Sequence, residues 1–332
     1  MINMELPKEM STMANDYHKS IMAYLDYGKN KKLRAAMGHY PEAGGKRMRP
    51  ILAMLVANAI GKNGQKAVPF GCCLEMIHNF TLVHDDVMDK DPVRRGRPAV
   101  HVLFDEPTAI IAGDALFARA YDVLSESEVS GEDLRKLVHI VSETVYLIAE
   151  GQQMDIDNED RQTISRDEYM ETVEKKTAVL FSCAAEGGAI IGGGSKKQIA
   201  DMKECARLFG IGFQIWDDVL GILGDGKKIG KPVGSDIRNG KRTLIVIDAL
   251  ERLDKPSKDK DILLKALGNE KATDAEVNAA IDVLKRVGSI DHAIKTSKEY
   301  AEKANDLLKC LPECREREII SQLIFYAVER DK

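Results

Sequence analysis

Helical spacing dominates this chain. Long segments repeat apolar residues at three- and four-residue intervals, as in Leu134, Leu137, Val138, Val141 and Val145, whereas runs alternating apolar and polar residues like a half-buried strand are scarce. Composition agrees: aromatic residues make up only 5%, while Ala, Leu, Met, Glu and Lys, which lose least side-chain freedom in a helix, are plentiful. The expected fold is all-α, a bundle of many helices. Breaks fall at GKNG (61–64), KDPVRRGRP (90–98), SGED (130–133), GGG (192–194), GDGKKIGKPVGSD (224–236) and DKPSKDKD (254–261). None has the makeup of a disordered linker, and no internal repeat is visible, so residues 1–332 are read as a single domain.

Charge narrows the range of partners. The formal net charge is -5 and no Lys/Arg run forms a polybasic arm, so nothing attracts nucleic acid or an anionic membrane in general. An anionic substrate has to be held locally. The N-terminus carries Glu5, Lys8 and Glu9 where a signal peptide needs an apolar run. The longest near-continuous apolar stretch, Ile51 to Ile60, is about half of the ~20 residues that span a bilayer, and reads as a buried helix rather than a transmembrane segment. The six cysteines show no zinc spacing, which fits reduced thiols and a cytoplasmic location.

Two acidic clusters follow apolar helical runs. LVHDDVMDKD places Asp85, Asp86, Asp89 and Asp91 within seven residues, and FQIWDDVLGILGD places Asp217 and Asp218 together. On a helix Asp85 and Asp89 share a face one turn apart, where like charges weaken the helix unless a cation lies between them. Oxygen ligands of this kind suit magnesium, completed by waters and substrate phosphates; a solvated acidic helix end is the plainer alternative for either cluster taken alone. Cations suited to phosphate surround them: Lys46, Arg47 and Arg49 in GGKRMRP, Arg94 and Arg95 in PVRRG, Lys176 in KKT, and Lys231 and Lys241 further on. The Gly- and Lys-rich loop from Gly224 to Asp236 has the length and composition of a lid or ligand clamp. Together these features describe a diphosphate site.

From about Gly44 to Lys241 the sequence closely resembles the trans-isoprenyl diphosphate synthases, or polyprenyl synthetases. GGKRMRP, DDVMD followed by RRG, GQQMD, KT, FQIWDD and GKPVGSD occur in that family's order and approximate spacing. The resemblance implies a helical bundle around a deep central cavity, a homodimer, and about three magnesium ions when substrate is bound. It implies condensation of isopentenyl diphosphate with an allylic diphosphate (dimethylallyl, geranyl or farnesyl), most consistent with a geranylgeranyl product. Residue by residue, it assigns Asp85 and Asp89, supported by Asp86, to metals on the allylic diphosphate, and Asp217 to a further metal. Gln152, Asp155 and Gln214 fall near the allylic substrate. Arg94, Lys176 with Thr177, Lys231 and Lys241 grip its diphosphate. Lys46, Arg49, His78 and Arg95 form the pocket for isopentenyl diphosphate, with Arg330 and Lys332 helping to close it. His84 is read as structural.

One position departs from the family pattern. Where many members read DDxxD in the second cluster, this chain has Gly221, leaving Asp236 or Asp225 to complete the surroundings of the third metal through water. The implied chemistry is electrostatic and uses no Ser, Cys or His nucleophile. Phe80 and Thr81, the fifth and fourth residues before Asp85, match positions that set product length; Phe80 would lie roughly 7–8 Å along the helix from Asp85. The helix beyond it leads to Met76 and Cys73. Two other readings predict different residues. A class I terpene cyclase would carry a different second metal motif, and a catalytically silent partner subunit would lack one acidic cluster or the Lys46/Arg49 pair.

Overall fold

Side-chain caps and left-handed residues end the helices close to the breaks read from the sequence. In this computed structural model, which describes residues 7–159, 161, 163–223 and 234–330, the chain opens with α1 (Lys8–Leu25), α2 (Lys31–Glu42), α3 (Met48–Gly61) and α4 (Val68–Met88). A hairpin, β1 (Val93–Arg94) and β2 (Arg97–Pro98), precedes α5 (Val100–Leu103), α6 (Glu106–Ser125), α7 (Gly131–Glu159) and α8 (Arg166–Val173). A π-helical turn, Glu174–Ala178, leads without a break into α9 (Val179–Ile191), followed by α10 (Lys196–Leu223). The remainder comprises α11 (Ser235–Arg238), α12 (Leu244–Arg252), α13 (Lys258–Ala266), α14 (Asp274–Arg286), α15 (Ser289–Leu307) and α16 (Arg315–Ala327).

Local chemistry explains these ends. Asn30 and Asp105 cap α2 and α6 by accepting from backbone N–H groups, and Ser165 and Thr273 form full capping boxes with Glu168 and Glu276. The hairpin was not expected: PVRRGRP is too short and charged to show alternation. Its two central residues, Arg95 and Gly96, have positive φ, as a tight antiparallel turn requires.

Helices α3 and α9 are apolar on nearly every side and lie buried against each other. Helix α4 packs along α6, and α10 lies between α9 and α15. Two apolar clusters result. The larger includes Leu52, Phe70, Leu116 and Phe209, the smaller Val246, Leu263 and Ile290, and α10 joins them by giving Phe209 to the first and Ile215 to the second. Among the described residues no helix is long and apolar enough to cross a membrane.

Candidate active site

Two cavities meet at Asp85. One, of about 610 Å³, is lined by Asp85, Asp89, Arg94, Asp155, Lys176, Thr177, Gln214 and Lys241. The other, of about 670 Å³, is more apolar and takes in Arg49, His78, Phe80, Thr81, Arg95, Gln152 and Asp217. They share Asp85, Met88, Arg94, Lys176, Thr177 and Gln214, so residues from α3, α4, the hairpin, α7, the π turn and α10 converge on one place. Lys231, Asp225 and Lys332 lie outside the described residues.

The centre is a chain of opposed charges. Lys176 Nζ lies 2.6 Å from Asp155 Oδ2 and 3.4 Å from Asp85 Oδ1. Burial works against its charge, yet these carboxylates prevail and hold the ammonium above the usual lysine range. The next residue, Thr177, donates to Gln214 Oε1 at 2.9 Å, and Gln214 donates to Asp218 Oδ1 at 3.1 Å. Asp218 is buried and also accepts from the Tyr169 hydroxyl at 2.7 Å. Lys241 stands 3.8 Å from Asp218, whose charge raises its pKa. Close approach of α7 to the π turn depends on Gly151, because a side chain there would collide with the backbone nitrogen of Lys176.

Not every expected residue faces the cavities. Asp86 is fully buried and binds Arg94 and the Tyr40 hydroxyl, while Tyr40 also accepts from the backbone N–H of Val100 at 3.2 Å. Asp86 thereby fixes Arg94, which lines both cavities. Arg47 differs from the sequence reading: it turns into the protein to pair with Glu75 and to donate to Pro41 O at 2.6 Å. Lys46 does not line either cavity; its ammonium lies 5.0 Å from the centre of the Tyr326 ring. His84 lines the apolar cavity, with its Nε2 3.1 Å from Ile110 O on α6.

The basic corner is built on strained backbone. Arg47 and Arg95 both have φ near +50°, a conformation that costs free energy in a non-Gly residue and recurs at functional sites. Arg95 donates to the carbonyls of Tyr40 and Gly44 at 3.0 and 2.7 Å. Arg49 stacks 4.3 Å from the Phe181 ring, and its buried Nε has no protein partner. Burial brings its pKa down to about 10. Burial, and then Arg49, Arg95, Arg47 and Arg94, hold His78 well below the ordinary imidazole range. Such a corner favours an anion.

Gly221 leaves room for a carboxylate from another element. A Cβ built there would lie 2.6 Å from Asp236 Oδ2, so the carboxylate from α11 occupies space that a side chain at 221 would enter. Across the apolar cavity Asp217 is held by Arg330, which lies over the Phe213 ring at 4.1 Å. Sequence reasoning missed Tyr40, Tyr169 and Arg242. Arg242 lines the polar cavity with two buried nitrogens lacking protein partners, and only its place beside Lys241 hinted at it.

A helical bundle presenting carboxylates from two helices across a basic, partly apolar cavity is the all-α architecture of an isoprenoid synthase. The chain belongs to the polyprenyl synthetase family, whose profile matches residues 30–284. It is 38% identical over 331 residues to geranylgeranyl diphosphate synthase of Methanosarcina mazei, covering 100% of each chain. It is 38% identical over 328 residues to a short chain isoprenyl diphosphate synthase of Methanothermobacter thermautotrophicus, covering 99% of this chain and 98% of that one. Among solved structures, geranylgeranyl pyrophosphate synthetase from Pyrococcus horikoshii superposes with a TM-score of 0.91 at 38% identity, over 97% of each chain.

Proposed function

We propose that this chain joins isopentenyl diphosphate to an allylic diphosphate, forming a linear trans-prenyl diphosphate, chiefly geranylgeranyl diphosphate, and releasing inorganic diphosphate. The observation that carries this reading is the junction of a carboxylate- and lysine-lined cavity with an apolar one that opens onto Arg49, His78 and Arg95. A diphosphate, a growing hydrocarbon and a second diphosphate each find a matching wall.

The donor set suits magnesium. Asp85, Asp89 and Asp217 offer only oxygen, with Asp236 near Gly221 as an outer partner. Among the described residues no three His, Cys, Asp or Glu side chains converge to hold an ion unaided, which fits an ion that keeps its waters and takes substrate phosphates as ligands. When bound, magnesium supplies positive charge that neutralises the departing diphosphate. The chain's own contribution is preorganised: Arg94, Lys176 and Lys241 hold the allylic diphosphate, and Thr177 and Gln214 orient its surroundings. The allylic C–O bond breaks with its electrons going to the diphosphate. The isopentenyl double bond then attacks the allylic carbon, and the proton lost from the new chain passes to the diphosphate. Val145, Ile148 and Leu180 along the apolar cavity keep water from quenching the cation.

Phe80 stands in that cavity beside Thr81, whose hydroxyl is tied to His78 O at 2.8 Å, and we assign Phe80 as the floor that stops growth. Exposed Val102, Leu103, Ile111 and Tyr146 along α5, α6 and α7 support a homodimer formed over these helices. The free cysteines fit a cytoplasmic setting.

The decisive experiment incubates purified enzyme, magnesium, an allylic diphosphate and labelled isopentenyl diphosphate, and separates the dephosphorylated products by chromatography. Linear twenty-carbon alcohol with stoichiometric diphosphate is expected. Cyclic hydrocarbon would point to a cyclase, and no turnover to a silent subunit.

A further inference from the structure

Arg242 is a cation of the polar cavity to which the condensation gives no task. Its Nε and Nη1 are buried without a hydrogen-bond partner, whereas Arg94, Lys176 and Lys241 on the same cavity each stand beside a carboxylate. A hydrogen bond of 3.0 Å from the Thr243 N–H to Lys241 O closes a three-residue turn between α11 and α12, with Arg242 at its apex. The two neighbouring cations meet different surroundings. Lys241 is held above the usual lysine range by Asp218, against the effect of burial, with Asp236, Asp155 and Asp217 adding to it. On Arg242 burial acts alone and lowers the pKa. Glu270 also lines this cavity but forms no ion pair with it.

Its place in the cavity narrows what it could bind. Arg242 lines the polar cavity only. A prenyl diphosphate has to lay its chain in the apolar cavity, which keeps its diphosphate at the junction beside Asp85, Arg94 and Lys176. The polar cavity, at about 610 Å³, is of a size that encloses a whole drug-sized molecule, so one diphosphate at the junction leaves part of it open. A guanidinium with two buried nitrogens and no partner costs free energy that an anion recovers, and its planar fork matches paired phosphate oxygens. Inorganic diphosphate carries no chain that would tie it to the junction.

We propose that Arg242 forms a second diphosphate subsite in the polar cavity, beyond the junction, that receives the inorganic diphosphate released by the condensation on its way out. The proposal rests on the condensation reading and gives its smaller product a place of its own.

Calorimetric titration of inorganic diphosphate with magnesium tests it on enzyme whose two substrate pockets are already filled. Isopentenyl diphosphate fills one, and farnesyl thiolodiphosphate, whose C–S bond resists ionisation, fills the other. The wild type is expected to take up one further diphosphate. Arg242→Met should bind it about tenfold more weakly, and Arg242→Lys should fall between, because lysine keeps the charge without the fork. In turnover, inorganic diphosphate should inhibit Arg242→Met about tenfold less than the wild type, while the KM for the allylic diphosphate rises much less. Should Arg242→Met fail to fold, Arg242→Gln, which keeps a polar group, takes its place in both measurements with the same expected direction. No uptake by the filled wild type overturns the proposal, as does equal uptake by the wild type and Arg242→Met. A rise in the allylic KM as large as the loss of inhibition assigns the guanidinium to the substrate's own diphosphate and also overturns it. The titration needs no turnover, so uptake through Arg242 in an enzyme that makes no prenyl product would overturn the proposed function and keep the diphosphate subsite.

Discussion

Arg330 and Asp217, 113 residues apart in sequence, are paired side chain to side chain at the wall of the apolar cavity. The arginine is nearly buried, and its backbone carbonyl accepts from Trp216 Nε1 at 3.0 Å, so the C-terminal segment is docked on α10 at two points. Lys176 stands in a similar relation to Asp85. Each of these two carboxylates thus has a cation of the chain beside it, and at the proposed magnesium site an incoming ion would have to compete with that cation.

Arg330→Ala therefore leaves Asp217 more available. Because a hydrogen bond to a charged group contributes about 1.5–3 kcal/mol, manganese used as a spectroscopic stand-in should bind the substrate-free enzyme about tenfold more tightly. Paramagnetic resonance of free manganese during a titration measures this. Unchanged affinity would show that the pairing does not restrain the carboxylate.

Asp85→Asn and Asp217→Asn should each lower turnover about a hundredfold or more while the fold survives, since both remove ligands for charge stabilised chiefly in the transition state. Circular dichroism checks the fold, and steady-state rates with magnesium limiting check the effect. Chelation by EDTA should mimic it. Near-normal turnover in either variant would remove that residue from the metal site.

Arg49→Met should raise the KM for isopentenyl diphosphate about tenfold or more and that for the allylic partner much less, because one charge-assisted phosphate contact contributes about 1.5–3 kcal/mol. Lys46→Met should raise it less, because the Lys46 ammonium lines neither cavity. A large rise for the allylic substrate alone would exchange the two pockets.

His78 gives a pH signature. Its folded pKa lies below the unfolded value of about 6.5, so its contribution to stability is present above that pH and is lost as pH falls, while the unfolded chain takes up a proton the native ring refuses. The loss is at most about 1.4 kcal/mol per pH unit and is moderated by the ring's partial exposure to the cavity. Between pH 8 and pH 5 the Tm of His78→Asn should fall less than that of the wild type. Parallel curves would mean that the imidazole is protonated in the folded state.

Much of the site was readable because its motifs are local. DDVMD and FQIWDD sit on helices whose periodicity fixes which carboxylates share a face, and α4 and α10 carry them as the spacing requires. What could not be read depends on contacts distant in sequence. Arg47 and Arg49 are indistinguishable in GGKRMRP, yet a left-handed residue at the start of α3 sends the first toward Glu75, while the second lines the apolar cavity. Asp86 resembles its neighbours until Tyr40 and Arg94 bury it from other elements. The Arg94–Arg95 hairpin is too short for a strand pattern.

The π turn at Glu174–Ala178 makes chain length a functional quantity in this stretch. Lys176 and Thr177 are consecutive, and both face the cavities. On a regular α-helix successive residues diverge by about 100°, so one of the two would turn away. A wide turn absorbs an additional residue and relaxes that divergence. Deleting one residue between 174 and 178 would let the segment heal into an ordinary helix and rotate everything on one side of the deletion relative to the other. Few of the chemical groups would be lost, but Lys176 could no longer reach Asp85 while Thr177 met Gln214. Over these five positions the enzyme is more vulnerable to a change in the count of its residues than to many changes in their identity.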